Sequence, residues 1–281
     1  MSPDLTSLMP IARHAIDLGE AHVRTHQPRL ITPKGDRDMM TDVDLAVERM
    51  IREFLAEATP AIGFLGEEQG GMDAQTRWVL DPIDGTANFT RALPLNGISL
   101  ALVHDQHAVL GAIALPFLSQ RYWAAEGLGA WRNHQPITAA HTTNLSEAIV
   151  ALGDYGTGPG APARNRVALA LHAYLAPRVQ RVRMLGSAAV DLAWVADGTL
   201  DASITLGNRA WDMAAGTVIA RQAHAALIDA DGTPHTTGSR FTIAAAPGLR
   251  DPILAAVHAA IRTASTPAAS SGTVPGHGAP C

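Results

Sequence analysis

Apolar residues at Leu5, Leu8, Met9, Ala12, Ala15 and Ile16 recur at intervals of three and four, which predicts an amphipathic helix from Pro3 to about Thr25. After a loop holding Pro28, Pro33 and Gly35, a second helix is predicted behind Thr41 as N-cap, with Val47, Met50, Ile51, Phe54 and Leu55 on one face. The pattern then changes to short apolar runs, which predict strands at Ile62–Leu65, Trp78–Leu80, Ile98–Val103, Val109–Leu115 and Arg121–Ala125 in a largely antiparallel sheet. A polar stretch from Thr138 to Asn144 breaks this pattern and sets a soft boundary between two halves, 1–140 and 141–264. Beyond it, strands at Val179–Leu185, Ala202–Leu206, Ala226–Ile228 and Phe241–Ala245 alternate with helices over Arg164–Leu175, Ala188–Val195, Trp211–Gln222 and Leu249–Thr263, so the second half reads as α/β. Residues 265–281 are rich in Ser, Thr, Pro, Gly and Ala without any period, and are expected to form a disordered tail.

Composition narrows the function classes. With 281 residues, 47% of them hydrophobic, the chain can bury a substantial core, and wholesale disorder is excluded. A formal charge of −5 supplies no basic excess for a polyanion, so neither a nucleic-acid polymer nor an anionic membrane is expected as a partner. The sole cysteine, Cys281, rules out an intrachain disulfide or a cysteine-built metal cluster. The charged amino-terminal stretch does not resemble a secretory signal, and the longest charge-free apolar run, Ala92–Val103, is shorter than the ~20 residues of a membrane span. A soluble, cytoplasmic protein is the expectation. Twelve histidines are scattered without the spacing of a zinc-binding helix and read as surface or packing residues.

The most informative stretch is Trp78-Val79-Leu80-Asp81-Pro82-Ile83-Asp84-Gly85-Thr86. An apolar strand ends directly in two carboxylates, with Pro82 fixing the backbone between them and a Gly-Thr pair suited to opening a helix. Carboxylate oxygens at short spacing with a carbonyl between them suit a hard cation such as Mg²⁺, and the free N–H groups of a helix start suit a phosphate. An Asx-rich turn is the alternative. Gly66-Glu67-Glu68 also follows an apolar run; Asp212 opens the predicted helix Trp211–Gln222, where the helix dipole alone would favour an acid. Thr41 and Asp44 have the spacing of a capping pair, and Lys34 is the only lysine.

It is the joint occurrence that is specific. Lys34…Asp44, Gly66-Glu67-Glu68, Asp81-Pro-Ile-Asp84-Gly-Thr86, Gly186-Ser187-Ala188-Ala189 and Trp211-Asp212-x-Ala-Ala-Gly216, in this order, resemble the signature of the inositol monophosphatase family of metal-dependent, lithium-sensitive phosphatases. The resemblance runs from the first helix to about Ala260. It implies an α+β fold, a layered α-β-α-β-α sandwich with metals and substrate between its halves, and a homodimer. It also implies two Mg²⁺ ions per subunit, for which Mn²⁺ can substitute. Glu67, Asp81 and the carbonyl of Ile83 match the ligands of the first metal, and Asp81, Asp84 and Asp212 those of the second. Glu67 matches a reach toward a third, weaker ion. Gly85 and Thr86 would offer backbone N–H groups to phosphate, Thr86 paired with Asp44 would help deprotonate the attacking water with Glu67, and Lys34 would support the carboxylates.

Substrate choice is where the chain departs from the family pattern. Asp84 and Ala188 match positions that contact substrate, but seven residues before Asp212, where many relatives acting on inositol phosphate carry a Glu, stands Thr205. Arg209 adds a positive charge near the same rim. The implied reaction is hydrolysis of a small phosphate monoester, inositol 1-phosphate first. Thr205 and Arg209 favour as alternatives a nucleotide, amino-sugar or histidinol phosphate, and a non-catalytic binding protein of the same fold is the rival outside enzymes. The loop Gly153–Gly160 reads as a pocket border through Asp154 and Tyr155, or as a mobile surface loop.

Overall fold

The computed structural model describes residues 3–72, 74–207 and 209–266. The chain opens with helix α1 (Leu5–Thr25), a hairpin of β1 (Ile31–Gly35) and β2 (Asp38–Thr41), and helix α2 (Asp42–Ala58). Then come β3 (Gly63–Gly66), β4 (Gly70–Gly71), β5 (Thr76–Asp84), the short helix α3 (Thr86–Thr90), β6 (Gly97–His104), β7 (His107–Leu115), β8 (Gln120–Ala125), β9 (Gly129–Arg132) and β10 (Gln135–Pro136). The remainder holds β11 (Ile149–Leu152), α4 (Ala161–Leu175), β12 (Arg181–Arg183), α5 (Ala188–Ala196), β13 (Ala202–Thr205), α6 (Ala210–Gln222), β14 (Ala226–Ile228), β15 (Thr242–Ala245) and α7 (Arg250–Ser265).

Strand alternation builds the layers. In β6, Ile98, Leu100 and Leu102 face one way and pack with Val47, Ile51 and Ile16 of α2 and α1; Ala101 and Val103 face the other way and pack against α5 and α6. The eight-stranded sheet, in the order β10-β9-β8-β7-β6-β5-β3-β4, is therefore covered on both faces. Its pairings are antiparallel except for β3 with β5. A five-stranded mixed sheet, β12-β11-β13-β15-β14, meets α5 and α6 through Ala151 and Ala244, and carries α4 and α7 on its far side through Val150, Ile204 and Ile243. The result is the expected α-β-α-β-α sandwich. Helix α6 is its middle: Met213 to Ala220 are buried all round, as a helix between two sheets must be. Gly111 allows the closest approach, since a Cβ there would stand 2.4 Å from the carbonyl oxygen of Ala215.

Several details differ from the expected elements. Strand β12 keeps only Arg181–Arg183 of the run expected over Val179–Leu185. The Val179 amide closes the end of α4 on the Leu175 carbonyl, and Asn88 Nδ2 captures the Leu185 carbonyl at 2.7 Å. Helix α4 starts at Ala161, ahead of Arg164, because Pro162 is tolerated in a first turn. Strand β11 and the β1–β2 hairpin were not expected; the hairpin is mostly exposed and holds Pro33, Lys34 and Asp36, so it carries no apolar alternation to read. Residues 267–281, most of the tail expected to be disordered, lie outside the described residues.

Candidate active site

The site is organised by the end of β5. Its pairing with β6 runs to Asp81↔Ser99, breaks, and resumes at Asp84↔Gly97, so Pro82 and Ile83 leave the ladder where proline has no N–H to lose. The Ile83 amide donates to Asp81 Oδ1 at 3.0 Å. Gly85 follows in the left-handed region, φ 89°, and a Cβ there would lie 3.0 Å from the carbonyl oxygens of both Gly186 and Leu95, so this turn requires glycine. The chain then turns into α3 at Thr86, whose Oγ1 lies 3.0 Å from the Ile83 carbonyl and 3.3 Å from Asp44 Oδ1. Asp44 also completes a capping box with Thr41, accepting the Thr41 amide at 2.8 Å and the Thr41 hydroxyl on Oδ2. The capping and the active-site readings of this pair therefore hold together, one on each carboxylate oxygen.

Glu67 and Glu68 sit in the turn leaving β3, which two side chains hold. Buried Glu48 of α2 accepts the amides of Glu68 at 2.8 Å and Gln69 at 3.0 Å, and Arg52 closes on Glu48 at 2.8 Å. Lys34, from the hairpin, donates to Glu67 at 2.7 Å and Glu68 at 2.9 Å. Burial works against the Lys34 ammonium, but these two bonds outweigh it and hold its pKa above the ordinary range. Burial pushes the Glu68 carboxyl up to about 7 despite the Lys34 bond.

Asp81, Asp84, Asp212 and Glu67 line one cavity of about 300 Å³, with Gly85, Thr86, Ala188 and Thr205 in its wall. Burial first, then repulsion from Glu67, Asp84 and Asp212, drives the Asp81 carboxyl well above the usual carboxylate range. Asp212 rises to about 8, through burial and then Asp84 and Glu67, with Arg209 opposing. Asp84 rises only to about 6, because bonds from Ser187 Oγ at 2.6 Å and the Ala189 amide partly offset its burial. A nest of like charges removed from water is the arrangement that a cation relieves, and its all-oxygen donors suit a hard divalent ion. Asp191 points the same way: it lies in the wall, buried, with Oδ1 lacking any hydrogen-bond partner. Among the described residues no three such side chains are already gathered closely enough to hold an ion as they stand. Glu67 and Asp84 are meanwhile engaged by protein donors, Lys34 on Glu67 and Ser187 and Ala189 on Asp84.

The structure brings together all the expected carboxylates, Thr86 and Asp44. Lys34 touches Glu67 without lining the cavity. Arg209 lies in the wall of a second cavity next to the first; Thr205, Asp154 and Gly207 belong to both, and Tyr155 only to the second. The sequence reading missed Glu48, Asp191 and Arg37, the last of which also lines the first cavity. An acid inside the apolar run Ala188-Ala-Val-Asp191-Leu-Ala-Trp-Val195 was the available signal for Asp191.

A layered α/β sandwich with an acidic cluster where a β-strand runs into a helix defines the class, a hydrolase of phosphate esters, and comparison with known proteins identifies the family. Residues 5–263 match the inositol monophosphatase family, and the chain belongs to it. It is similar to the inositol-1-monophosphatase ImpA of Mycolicibacterium smegmatis, 36% identical over 253 residues, 89% of this chain and 91% of that protein. It is also similar to the inositol-1-monophosphatase SuhB of Mycobacterium tuberculosis, 40% identical over 233 residues, 78% of each. Among solved structures, the IMPase of Thermotoga maritima aligns with a TM-score of 0.83 at 27% identity, covering 93% of this chain and 99% of that one. The extragenic suppressor protein suhB of Bartonella henselae aligns with a TM-score of 0.84 at 28% identity, covering 89% and 98%. The protein is accordingly a phosphoric monoester hydrolase, of a family that depends on metal.

Proposed function

We propose that the protein hydrolyses a small phosphate monoester of the inositol 1-phosphate kind with Mg²⁺, in the cavity that Glu67, Asp81, Asp84 and Asp212 share. The observation that carries this reading is the gathering of four carboxylates, three of them raised in proton affinity by burial and by one another, beside a threonine hydroxyl paired with a buried aspartate. Two Mg²⁺ ions, or Mn²⁺ in their place, would be held by Glu67, Asp81 and the Ile83 carbonyl and by Asp81, Asp84 and Asp212, with Glu67 reaching a third. Bound there, such ions neutralise the phosphate oxygens, lower the pKa of water and stabilise the departing alkoxide.

The chain's own groups orient and move protons around that chemistry. Asp44, fixed by Thr41, accepts from Thr86, so Oγ1 can take a proton from the attacking water as its own proton passes to Asp44; Glu67 lines the same cavity. Gly85 and Thr86 present their backbone N–H groups to the phosphate. Ala188 and Thr205 flank the alcohol, and their small size admits groups bulkier than a bare polyol. The names of the relatives, inositol-1-monophosphatases from several bacteria, support inositol 1-phosphate as the first substrate to try. A cytoplasmic homodimer inhibited by lithium completes the reading.

The test is phosphate release with Mg²⁺, with and without Li⁺, from inositol 1-phosphate, histidinol phosphate and nucleoside monophosphates. Lithium-sensitive release led by inositol 1-phosphate is the expected result. Release led by another ester would retain the chemistry and replace the substrate.

A further inference from the structure

Beside the acidic cavity lies a second one, of about 430 Å³, whose wall carries two guanidinium groups, those of Arg164 and Arg209. Arg164 leaves α4 and is held in place by bonds to the carbonyls of Thr157 at 3.1 Å and Pro159 at 3.3 Å. Its side chain lies over Gly207, where a Cβ would stand 3.7 Å from Cδ, and over Gly156, where a Cβ would stand 2.9 Å from Nε; these two glycines make room for it. Asn165 clamps the same loop by bonding both the amide and the carbonyl of Gly156. A guanidinium has five N–H groups, so two bonds to carbonyls leave three for a ligand. Arg209 rests over the ring of Trp211 at 5.9 Å, and its charge opposes the rise of the Asp212 pKa.

The two cavities share a wall of Asp154, Thr205 and Gly207. Thr205 is short and neutral, so no carboxylate at that position separates the arginines from the acidic site. With two arginines against Asp154, the second cavity has an excess of positive charge next to a site built to bind phosphate. Two arginines in the wall of one cavity can recognise an anion there, through charge-assisted and bidentate hydrogen bonds.

We propose that the second cavity is a subsite for a second anionic group, a phosphate or a carboxylate, on the same small substrate whose monoester is cleaved next door. This deepens the phosphatase reading and rests on it. The subsite would select phosphate esters by their distal charge, Asp154 accepting a hydroxyl of the part that joins the two groups.

Matched substrates test this. With Mg²⁺ present, kcat/KM is measured for inositol 1,4-bisphosphate against inositol 1-phosphate, and for 3-phosphoglycerate against glycerol 3-phosphate, in the full chain and in its Arg164→Gln and Arg209→Gln variants. The expected result is a preference of at least about tenfold for the doubly anionic member of one pair, expressed through KM, and a drop in that ratio of at least about tenfold in each variant. The preferred pair tells phosphate from carboxylate. Arg209 is exposed, so its variant carries the test even if Arg164→Gln disturbs the loop. Equal kcat/KM within both pairs, or a ratio unmoved by both substitutions, would overturn the subsite while phosphate release still upholds the phosphatase reading. Release from none of the four esters would overturn both.

Discussion

Thr86 Oγ1 stands 3.3 Å from Asp44 Oδ1, joining the helix that follows β5 to the first turn of α2 across 42 residues of chain. The hydroxyl has one proton and two acceptors in reach, Asp44 and the Ile83 carbonyl at 3.0 Å. A cation drawing on the Ile83 carbonyl would leave Asp44 as the acceptor, which fixes the direction of the Oγ1 lone pairs. Asp44 is itself fixed by its bonds from Thr41, so a helix cap sets the orientation of the hydroxyl proposed to act on the attacking water.

That relationship predicts a loss of kcat more than of binding. Thr86→Val and Asp44→Asn should each lower kcat about 10²- to 10³-fold with KM changed little, the range typical of a positioned proton acceptor. Thr86→Ser should retain most activity. Steady-state phosphate release checks all three, and a Thr86→Val enzyme with wild-type kcat would remove Thr86 from the reaction.

Asp212→Asn and Asp81→Asn should abolish turnover while leaving a folded protein. Each removes one charge from a buried cluster in which like charges repel. Without metal at pH 8 the Asp212→Asn protein should therefore melt higher than the wild type, by roughly 2–4 °C for each kcal/mol of relieved repulsion. Added Mg²⁺ should raise its Tm less than that of the wild type. Calorimetry with and without EDTA reads both effects.

The acidic cluster also fixes a pH dependence. In the folded chain Asp84 rises to about 6 and Asp212 to about 8, both from an ordinary 3.8, so the folded state holds protons that the unfolded chain has already released. Stability of the metal-free protein should then fall as pH rises from about 4 to about 8. Mg²⁺ held by the deprotonated carboxylates, as proposed, should raise Tm more at pH 8 than at pH 6. A Tm increment larger at the lower pH would contradict the assignment of these acids as ligands.

How far these groups could be read from the sequence depended on how local their signals were. Asp81 and Asp84 stand at the end of an apolar strand, and Asp212 opens a helix, so their placement followed from patterns a few residues long. Periodicity gave most of the elements, while the layer order came from the family resemblance; its physical basis shows in β6, where alternate residues serve two cores. Glu48 was not legible. It lies on the predicted helix as one acid among several, and only the fold brings it under the turn of Glu68 and Gln69. Arg164 was invisible for the same reason, since its position over Gly207 is made by packing between segments distant in sequence. Strand β11 was missed although Ile149-Val-Ala-Leu152 is apolar; four residues make a weak signal, and the pairing with β12 and β13 that fixes it is not local.

Glu48→Ala should destabilise the fold by about 3 kcal/mol, because two amides and the Arg52 guanidinium lose a buried charged acceptor. The same change loosens the turn that carries Glu67. Glu48→Gln, which keeps one acceptor oxygen, should recover part of the stability. In Glu48→Ala the concentration of Mg²⁺ giving half-maximal activity should rise, separating a positioning role from mere loss of folded protein.

Position 205 sets the sharpest prediction about substrate. Thr205 lines both cavities, and its Oγ1 and Cγ2 lie 3.2 Å from where a Cβ on Gly153 would stand, so the side chain sits close under the loop that borders them. Thr205→Glu would put a carboxylate at the passage between the acidic cavity and the two arginines. There it can accept two hydroxyls of a polyol ring, and it can pair with Arg209 or Arg164 and cancel the charge that attracts a second anion. Both effects act in the same direction: kcat/KM should rise for inositol 1-phosphate and fall for inositol 1,4-bisphosphate, moving their ratio by about tenfold or more. Gln at the same position supplies hydrogen bonds without charge, so it should reproduce the gain on the monophosphate but only a small part of the loss on the bisphosphate. An unchanged substrate ranking in Thr205→Glu would show that this position does not select, and specificity would then have to be sought in the loop of Asp154 and Tyr155.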